Sequence, residues 1–407
     1  MNLELGPIFR GMLRNKIGFG LLVFEIAITL AIGLNCVTMV KREIERVGKE
    51  SGLDEENLIA ISINPFGTAF EESSYRQQVV ADDMALLRAR PEIRDAVLVS
   101  PFPLQGGGSS LQAKPLGAPD TALVRAPRYI GGSHMVETFG LSIAEGRDFT
   151  EADVLRTSDL PEQLNVLVTR DLADALYPDG NGLGKQVDIQ IEGLACTIVG
   201  IVDYMYTPYD NGGPMETRII FFPGLRTSAG FSSYLVRTEP GHRDTTIAAL
   251  NDLLLAKYPD RVLRIRSVES MKETAYFFNR FVIIVLSSVV VLLVLVTAIG
   301  LLGMTWFSVA RRTHQIGVRR ALGATRVAIL RFFFVENSLV TVLGMTLGLA
   351  LAIGLNRILI VQTSGQPLTP ILVLISLVFL WSIGLAATLW PAWRGSRIEP
   401  AIASRNV

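Results

Sequence analysis

Four stretches of the chain stay apolar for more than twenty residues at a time: 17–40, 281–307, 328–355 and 371–393. An α-helix needs about 20 apolar residues to cross the hydrocarbon core of a bilayer, so each is predicted to be a membrane-spanning helix. Between the first and second the pattern changes to short alternations bounded by turn residues. Residues 57–64 (NLIAISIN) read as a strand, 74–90 as a helix that Pro91 ends, and 95–100 as a second strand. The same order returns later, with strand 231–238, helix 243–258 and strand 261–267. Two strand–helix–strand halves predict a split βαβ module of α+β class.

The material between the halves, about 101–230, is then an insertion. It opens with PFPLQGGGSSLQAKPLGAP, a loop by its Gly, Pro and Ser content. Gly106, Gly107 and Gly108 are no phosphate cradle, because no Lys-Ser/Thr follows them and no helix opens there. Further on the insertion reads as short strands at 165–169, 186–191, 196–202 and 218–222, with a helix over 170–176. Residues 41–52 and 268–279 are predicted as helical stalks, the second running straight into the second span.

Charge gives these segments a direction. The formal net charge is zero, yet residues 1–16 carry +2, residues 308–331 carry six Arg and no acid, residues 394–407 carry +2, and residues 41–280 carry −9. Basic loops stay on the cytoplasmic side. This predicts a cytoplasmic segment 1–16, span 17–40, an outer domain 41–280, span 281–307, a cytoplasmic loop 308–327, span 328–355, a short outer loop 356–370, span 371–393 and a cytoplasmic tail 394–407. The basic pieces hug membrane segments and their lipids, so the pattern is not that of a nucleic-acid binder. The first span is too long for a signal-peptide core, and no small-x-small cleavage site follows it. Asn35 before Cys36 makes a poor lipidation site. Cys196 is the other cysteine, so the outer domain has no internal disulfide.

Few residues offer chemistry. His134, His242 and His314 have no metal-ligand spacing to another His or Cys, and no nucleophile elbow is present. The chain therefore reads as non-catalytic, with no metal site and no cofactor site. Two acids lie inside spans, Glu25 and Glu336. Glu336 sits near the cytoplasmic end of its helix, where Arg331 or Arg326 can answer it. Glu25 lies deeper, either against a partner helix or protonated. Gly344 and Gly348 form a GxxxG pair, and Gly300 and Gly303 lie on the second span; small residues let helix backbones approach, although glycine is frequent in such helices in any case.

The segment RRTHQIGVRRALGATR, 311–326, stands apart. Ile316, Val318, Ala321 and Leu322 interleave with Arg319 and Arg320, and Gly323 stops the pattern. This predicts a short helix with one apolar and one cationic side, placed beneath the membrane to receive a push from a soluble partner. Residues 312–324 (RTHQIGVRRALGA) resemble the signature R-x-R-E-I-G-x-R-x-A-L-G-A of FtsX-like permeases. Glu336 matches a Glu common early in that family's third span, and 391–405 (PAWRGSRIEPAIASR) is similar to its C-terminal pattern. The outer domain, through FGLSIAEGRDFTEAD and NVLVTRDLADALYPDGNGLGKQVDIQIEGLACTIVGIV, resembles the MacB-type periplasmic core.

The resemblance covers nearly the whole chain. It implies a Porter subdomain, about 53–100 and 231–267, around an inserted Sabre subdomain, about 101–230. It implies a permease of a type VII ABC transporter in a bacterial inner membrane, both termini cytoplasmic, with ATP and Mg²⁺ bound by a separate ATPase dimer. Movement would enter through Arg312, His314, Gln315, Ile316, Gly317, Val318, Arg319, Arg320, Ala321, Leu322, Gly323 and Ala324 and leave as motion of the outer domain. The output would be efflux of an antibiotic, peptide or lipid-like substrate from the periplasm, with a periplasmic adaptor and an outer-membrane duct. The alternative is a regulator that drives an envelope hydrolase or sensor without transport; a third reading, a membrane-anchored binding domain, predicts that the basic loop tolerates substitution. No G-x-x-x-x-G-K-[ST] occurs, so the nucleotide-binding domain is expected on another chain. His314-Gln315 stands where the signature has Arg-Glu. The lost carboxylate implies either a different docking geometry or a second, unlike permease subunit, and tilts the dimer towards unlike chains.

Overall fold

The computed structural model describes residues 16–155, 163–190, 194–208, 214–225, 227, 230–363 and 367–397. The N-terminal segment and the end of the C-terminal tail lie outside these residues. The chain divides into two compact units, one comprising residues 1–47 and 279–407, the other residues 48–278.

The second unit is built on one extended sheet. Its first four positions are β11 (Arg261–Ser267), β1 (Leu58–Pro65), β10 (Ser232–Thr238) and β2 (Ile93–Ser100), all antiparallel neighbours. With helices α2 (Ser73–Arg88) and α5 (Arg243–Leu255) as the crossovers, this is a split βαβ arrangement. Strand β1 is buried on both faces along most of its length. One face (Ile59, Ile61, Ile63) lies under Val80, Met84 and Leu87 of α2 and Leu250 and Leu254 of α5. The other (Leu58, Ala60) packs against the insertion. One ion pair is sealed inside: Arg261 donates to Asp83 at 2.5 and 2.9 Å, and Tyr234 donates to the same carboxylate at 2.8 Å.

The insertion closes on itself. Strands β3 (Ser109–Pro115), β4 (Val124–Gly131), β6 (Gln163–Thr169), β7 (Gln186–Asp188), β8 (Ala195–Val202) and β9 (Ile220–Pro223) run in the order β4-β3-β7-β8-β6-β9, and β9 pairs back onto β4. Short β5 (Ile143–Gly146) hangs on β8. All six ring strands give side chains to one core, among them Ala113, Ala126, Val166, Val187, Ile198 and Ile220. Leu172, Ala173 and Leu176 of α4 (Arg170–Leu176) complete it. The alternate residues Leu167, Phe221 and Tyr129 face the split module with Phe139 of the short α3 (Met135–Phe139), as the period of two requires. Closure leaves the ring without a free edge.

The insertion is richer in strands than its sequence pattern indicates. Strands β3, β4 and β5 fall where a loop or nothing was expected. Gly and Pro lower the strand signal of residues 106–115, but β3 is paired on both sides by the ring, and tertiary pairing outweighs propensity. Cys36 and Cys196 are both buried free thiols, and burial pushes the Cys196 thiol up to about 12.

Among the described residues, the first unit contains four helices long and apolar enough to cross a membrane: α1 (Lys16–Val47), α7 (Phe277–Arg311, whose first residues belong to the other unit), α9 (Arg326–Thr363) and α10 (Pro370–Ser396). Helix α9 packs along α1 and α10, while most of α7 is exposed in the single chain. Buried polar groups cross-link the helices: Thr29 with Thr297 at 2.7 Å, Asn35 to the Ala352 carbonyl at 3.2 Å, and Asn337 to the Gly384 carbonyl at 2.9 Å.

Three boundaries differ from expectation. The helix α1 ends at Val47, not near 52. The third long helix continues to Thr363, through residues expected as an outer loop, because nothing from Asn356 to Thr363 breaks a helix. The second stalk is not continuous with the second span: α6 (Val268–Ala275) stops at Tyr276, whose buried hydroxyl donates to Tyr206 at 3.3 Å, and α7 starts at Phe277.

Candidate functional site

The basic segment between α7 and α9 forms the nine-residue helix α8 (Thr313–Ala321). Its end is a complete Schellman motif: the Ala324 amide donates to the Arg319 carbonyl at 3.0 Å and the Gly323 amide to Arg320 at 3.1 Å. Gly323 takes φ +95°, a conformation that favours a residue without Cβ.

The predicted division into an apolar and a cationic side is not what the helix shows. Ile316 and Gly317 are buried, and Ile316 packs with Ile329, Phe333 and Ala392. The cations also turn back on the bundle. Arg320 donates to the Ser396 carbonyl at 2.8 Å, at the end of α10, where a positive charge complements the helix dipole. Arg319 and Arg312 lie 5.5 and 5.4 Å from the centre of the Phe332 ring. Val318 (45%) and Leu322 (83%) are exposed, together with His314, Gln315, Arg319 and Ala321. The helix is thus tied to the bundle through Ile316, Arg312 and Arg320, and its outer side is mixed, with Val318 and Leu322 among His314, Gln315 and Arg319.

Arg312 also answers Glu336, through Nη1–Oε2 at 3.1 Å and Nη2–Oε1 at 3.0 Å. This corrects the expectation that Arg331 or Arg326 would pair with it: the partner comes from the other end of the loop, twenty-four residues away. The two Arg at the end of α10 stack on aromatics. Arg394 lies over Trp306 and Trp390, which are themselves stacked at 5.3 Å, and Arg397 lies over Trp393. The sequence pattern missed this cluster; the signal was Arg and Trp spaced a helical turn apart at the end of the fourth span.

The glycines divide. A Cβ on Gly344 would meet Ile26 at 2.7 Å, and one on Gly348 the Ala27 carbonyl oxygen at 2.8 Å, so these two let α9 lie against α1. Gly300 faces the Glu25 carboxylate, 2.6 Å from where its Cβ would stand. Gly303 has open space, so among the described residues it packs against nothing.

In the outer domain, His134 Nδ1 lies 3.0 Å from Asp95 Oδ2, and Glu137 completes a group within 4.8 Å of one another. A search of His and Cys spacing alone misses it. Asp95 also receives Thr138 at 3.2 Å and pairs with Arg88 at 3.2 Å, so its charge is already met within the fold. Nearby, Asp153 gathers Arg147, Thr150 and Asn165, and the Arg147 guanidinium holds its carboxyl well below the usual range.

Comparison with known proteins identifies the whole. Residues 23–253 match the family model of the MacB-like periplasmic core domain, and residues 287–400 match that of the FtsX-like permease C-terminal region. The first match alone spans more than half of the chain. The chain belongs to the MacB/FtsX family of ABC transporter permeases. This permease is similar to the macrolide export ATP-binding/permease protein MacB 2 of Yersinia pestis bv. Antiqua (strain Antiqua), with 26% identity over 276 residues, 64% of this chain and 38% of that protein. It thus spans about two-fifths of the length of that relative. It is similar end to end to the uncharacterized ABC transporter permease YvrN of Bacillus subtilis (strain 168), with 23% identity and 98% of each chain covered. The periplasmic region of MacB from Actinobacillus actinomycetemcomitans aligns with 20% identity and a TM-score of 0.34, over 55% of this chain and 94% of that one.

Proposed function

We propose that the permease is a non-catalytic membrane subunit that takes up movement from a separate ATPase at residues 312–324 and passes it to its periplasmic domain, driving efflux. One observation carries the reading: α8 is fixed to the bundle by Ile316, Arg312, Arg319 and Arg320 while leaving Val318 and Leu322 outward. A helix held against its own chain, with Val318 and Leu322 turned to solvent among polar neighbours, suits a partner's groove. ATP and Mg²⁺ belong to that partner. Because an ABC ATPase works as a dimer, two permease subunits are required, and the exposed α7 is the span free to meet the second. His314 and Gln315 sit on the outward side of α8, where the absence of the family's Arg-Glu favours an unlike second subunit.

Leu322→Asp places a charge on the outer side without touching the contacts that hold α8. It abolishes co-purification of the ATPase while the protein remains inserted at normal levels. Undiminished co-purification overturns the docking site. An outer-domain pull-down that returns a hydrolase or kinase in place of an adaptor would favour a regulatory output.

A further inference from the structure

We propose that the groove between α9 and α10 holds one anionic phospholipid, with Arg331 taking the headgroup and the apolar walls taking an acyl chain. The groove has a volume of about 670 Å³. On α9 its wall is a stripe at helical spacing, Val327, Arg331, Val335 and Val342, faced by Trp381 and Leu385 of α10. From Val327 to Val342 is about 22 Å of helical rise, and Trp381 lies near the middle of α10. One leaflet of hydrocarbon is about 15 Å deep, with a few more to the headgroups. The groove therefore runs one leaflet deep, from the end of α9 that carries the basic loop to about the midplane, which is the shape of a lipid and not of a passage across the bilayer.

Charge selects the lipid. Arg331 is exposed, and among the described residues no hydrogen bond or ion pair engages it. Glu336 is the one acid of α9, and Arg312 occupies it. Arg331 sits five residues into α9, about 7 Å along its axis from Arg326, within snorkelling reach of the headgroup layer. An unanswered cation over an apolar slot favours a headgroup of net negative charge over a zwitterion, whose own cation offsets its phosphate. The assignment requires only that α9 and α10 lie in the membrane, and it stands or falls separately from ATPase docking.

The test is thermal unfolding of the full chain in detergent, followed by tryptophan fluorescence, with dioleoylphosphatidylglycerol, dioleoylphosphatidylcholine or inorganic phosphate added. Phosphatidylglycerol raises the midpoint, and the other two do not. Arg331→Gln weakens the apparent phosphatidylglycerol affinity about fivefold, the worth of one interfacial cation. Ser338→Trp, which fills the groove part-way along, removes the response with Arg331 intact. Equal responses to the two lipids, a response to phosphate alone, or an Arg331→Gln protein with unchanged affinity overturns the assignment. Should Ser338→Trp fail to fold, the lipid comparison and Arg331→Gln decide it.

Discussion

Cutting Glu336 back to Ala would show whether α8 is held by charge as well as by packing. The Arg312–Glu336 contact is doubly made, at 3.0 and 3.1 Å, with side-chain exposures of 21% and 6%. Breaking a fully buried ion pair from one side costs about 3–5 kcal/mol, because the other charge is stranded. Arg312 keeps a fifth of its surface in the open and one face on Phe332, so it turns partly to water. The expected loss is then about 2–3 kcal/mol, with Glu336→Gln losing roughly half of that because it keeps an acceptor. The molecule supplies its own probe: Trp306, Trp381, Trp390 and Trp393 all lie on α7 and α10, and the outer domain has none. Tryptophan fluorescence on heating in detergent therefore reports the bundle alone. A double-mutant cycle with Arg312→Met isolates the pair, with an expected coupling of about 1–3 kcal/mol. A coupling under about 0.5 kcal/mol would refute the claim that charge holds the helix.

The glycines of the second and third spans provide a matched contrast. Gly348→Leu drives a side chain into the Ala27 backbone and costs at least about 1–3 kcal/mol by the same tryptophan melt, whereas Gly303→Leu, facing open space, leaves the midpoint of the isolated chain unchanged. In the outer domain, burial raises the Asp148 carboxyl from 3.8 to about 6. Between those values the folded state holds a proton that the unfolded state has released, so this group's contribution to stability is present below about pH 4 and fades as pH rises through 6. Calorimetry should show Asp148→Asn flattening that slope; an unaltered slope assigns it to another group.

The parts of the fold legible in the sequence are those whose signal is local. Four apolar runs need no tertiary knowledge, and Gly323 announces the end of α8 through a backbone requirement that other residues meet poorly. The two strand–helix–strand halves were legible because Pro91 and the periodicities around it are local too. The ring in the insertion was not, since β3 exists through pairing with β4 and β7, residues distant in the sequence. The orientation of α8 was hidden for a related reason. Arg320 looks solvent-bound until the Ser396 carbonyl is placed beside it. The same holds for Glu336, whose partner was sought at Arg331 or Arg326 and came from Arg312 across the loop.

The placement of α9 shows which helix carries motion on the proposed reading. The anchors of α8 fall on Ile329, Phe333 and Glu336 of α9 and on Ala392 and Ser396 of α10. Two to three turns beyond Glu336, Gly344 and Gly348 bring α9 into backbone contact with α1 at Ile26 and Ala27. Closely packed interiors have low compressibility and transmit displacement, and the cavity beside Phe333 and Glu336 is small, about 20 Å³. The span α1 then runs unbroken to Val47, where the outer domain begins. By contrast, α7 is the most exposed of the four, with Thr297, Leu301 and Thr305 as its buried contacts, and a turn at Tyr276 separates it from α6. On the proposed reading a push on Leu322 passes from α9 to α1, leaving α7 free to serve as the face on which a second subunit packs.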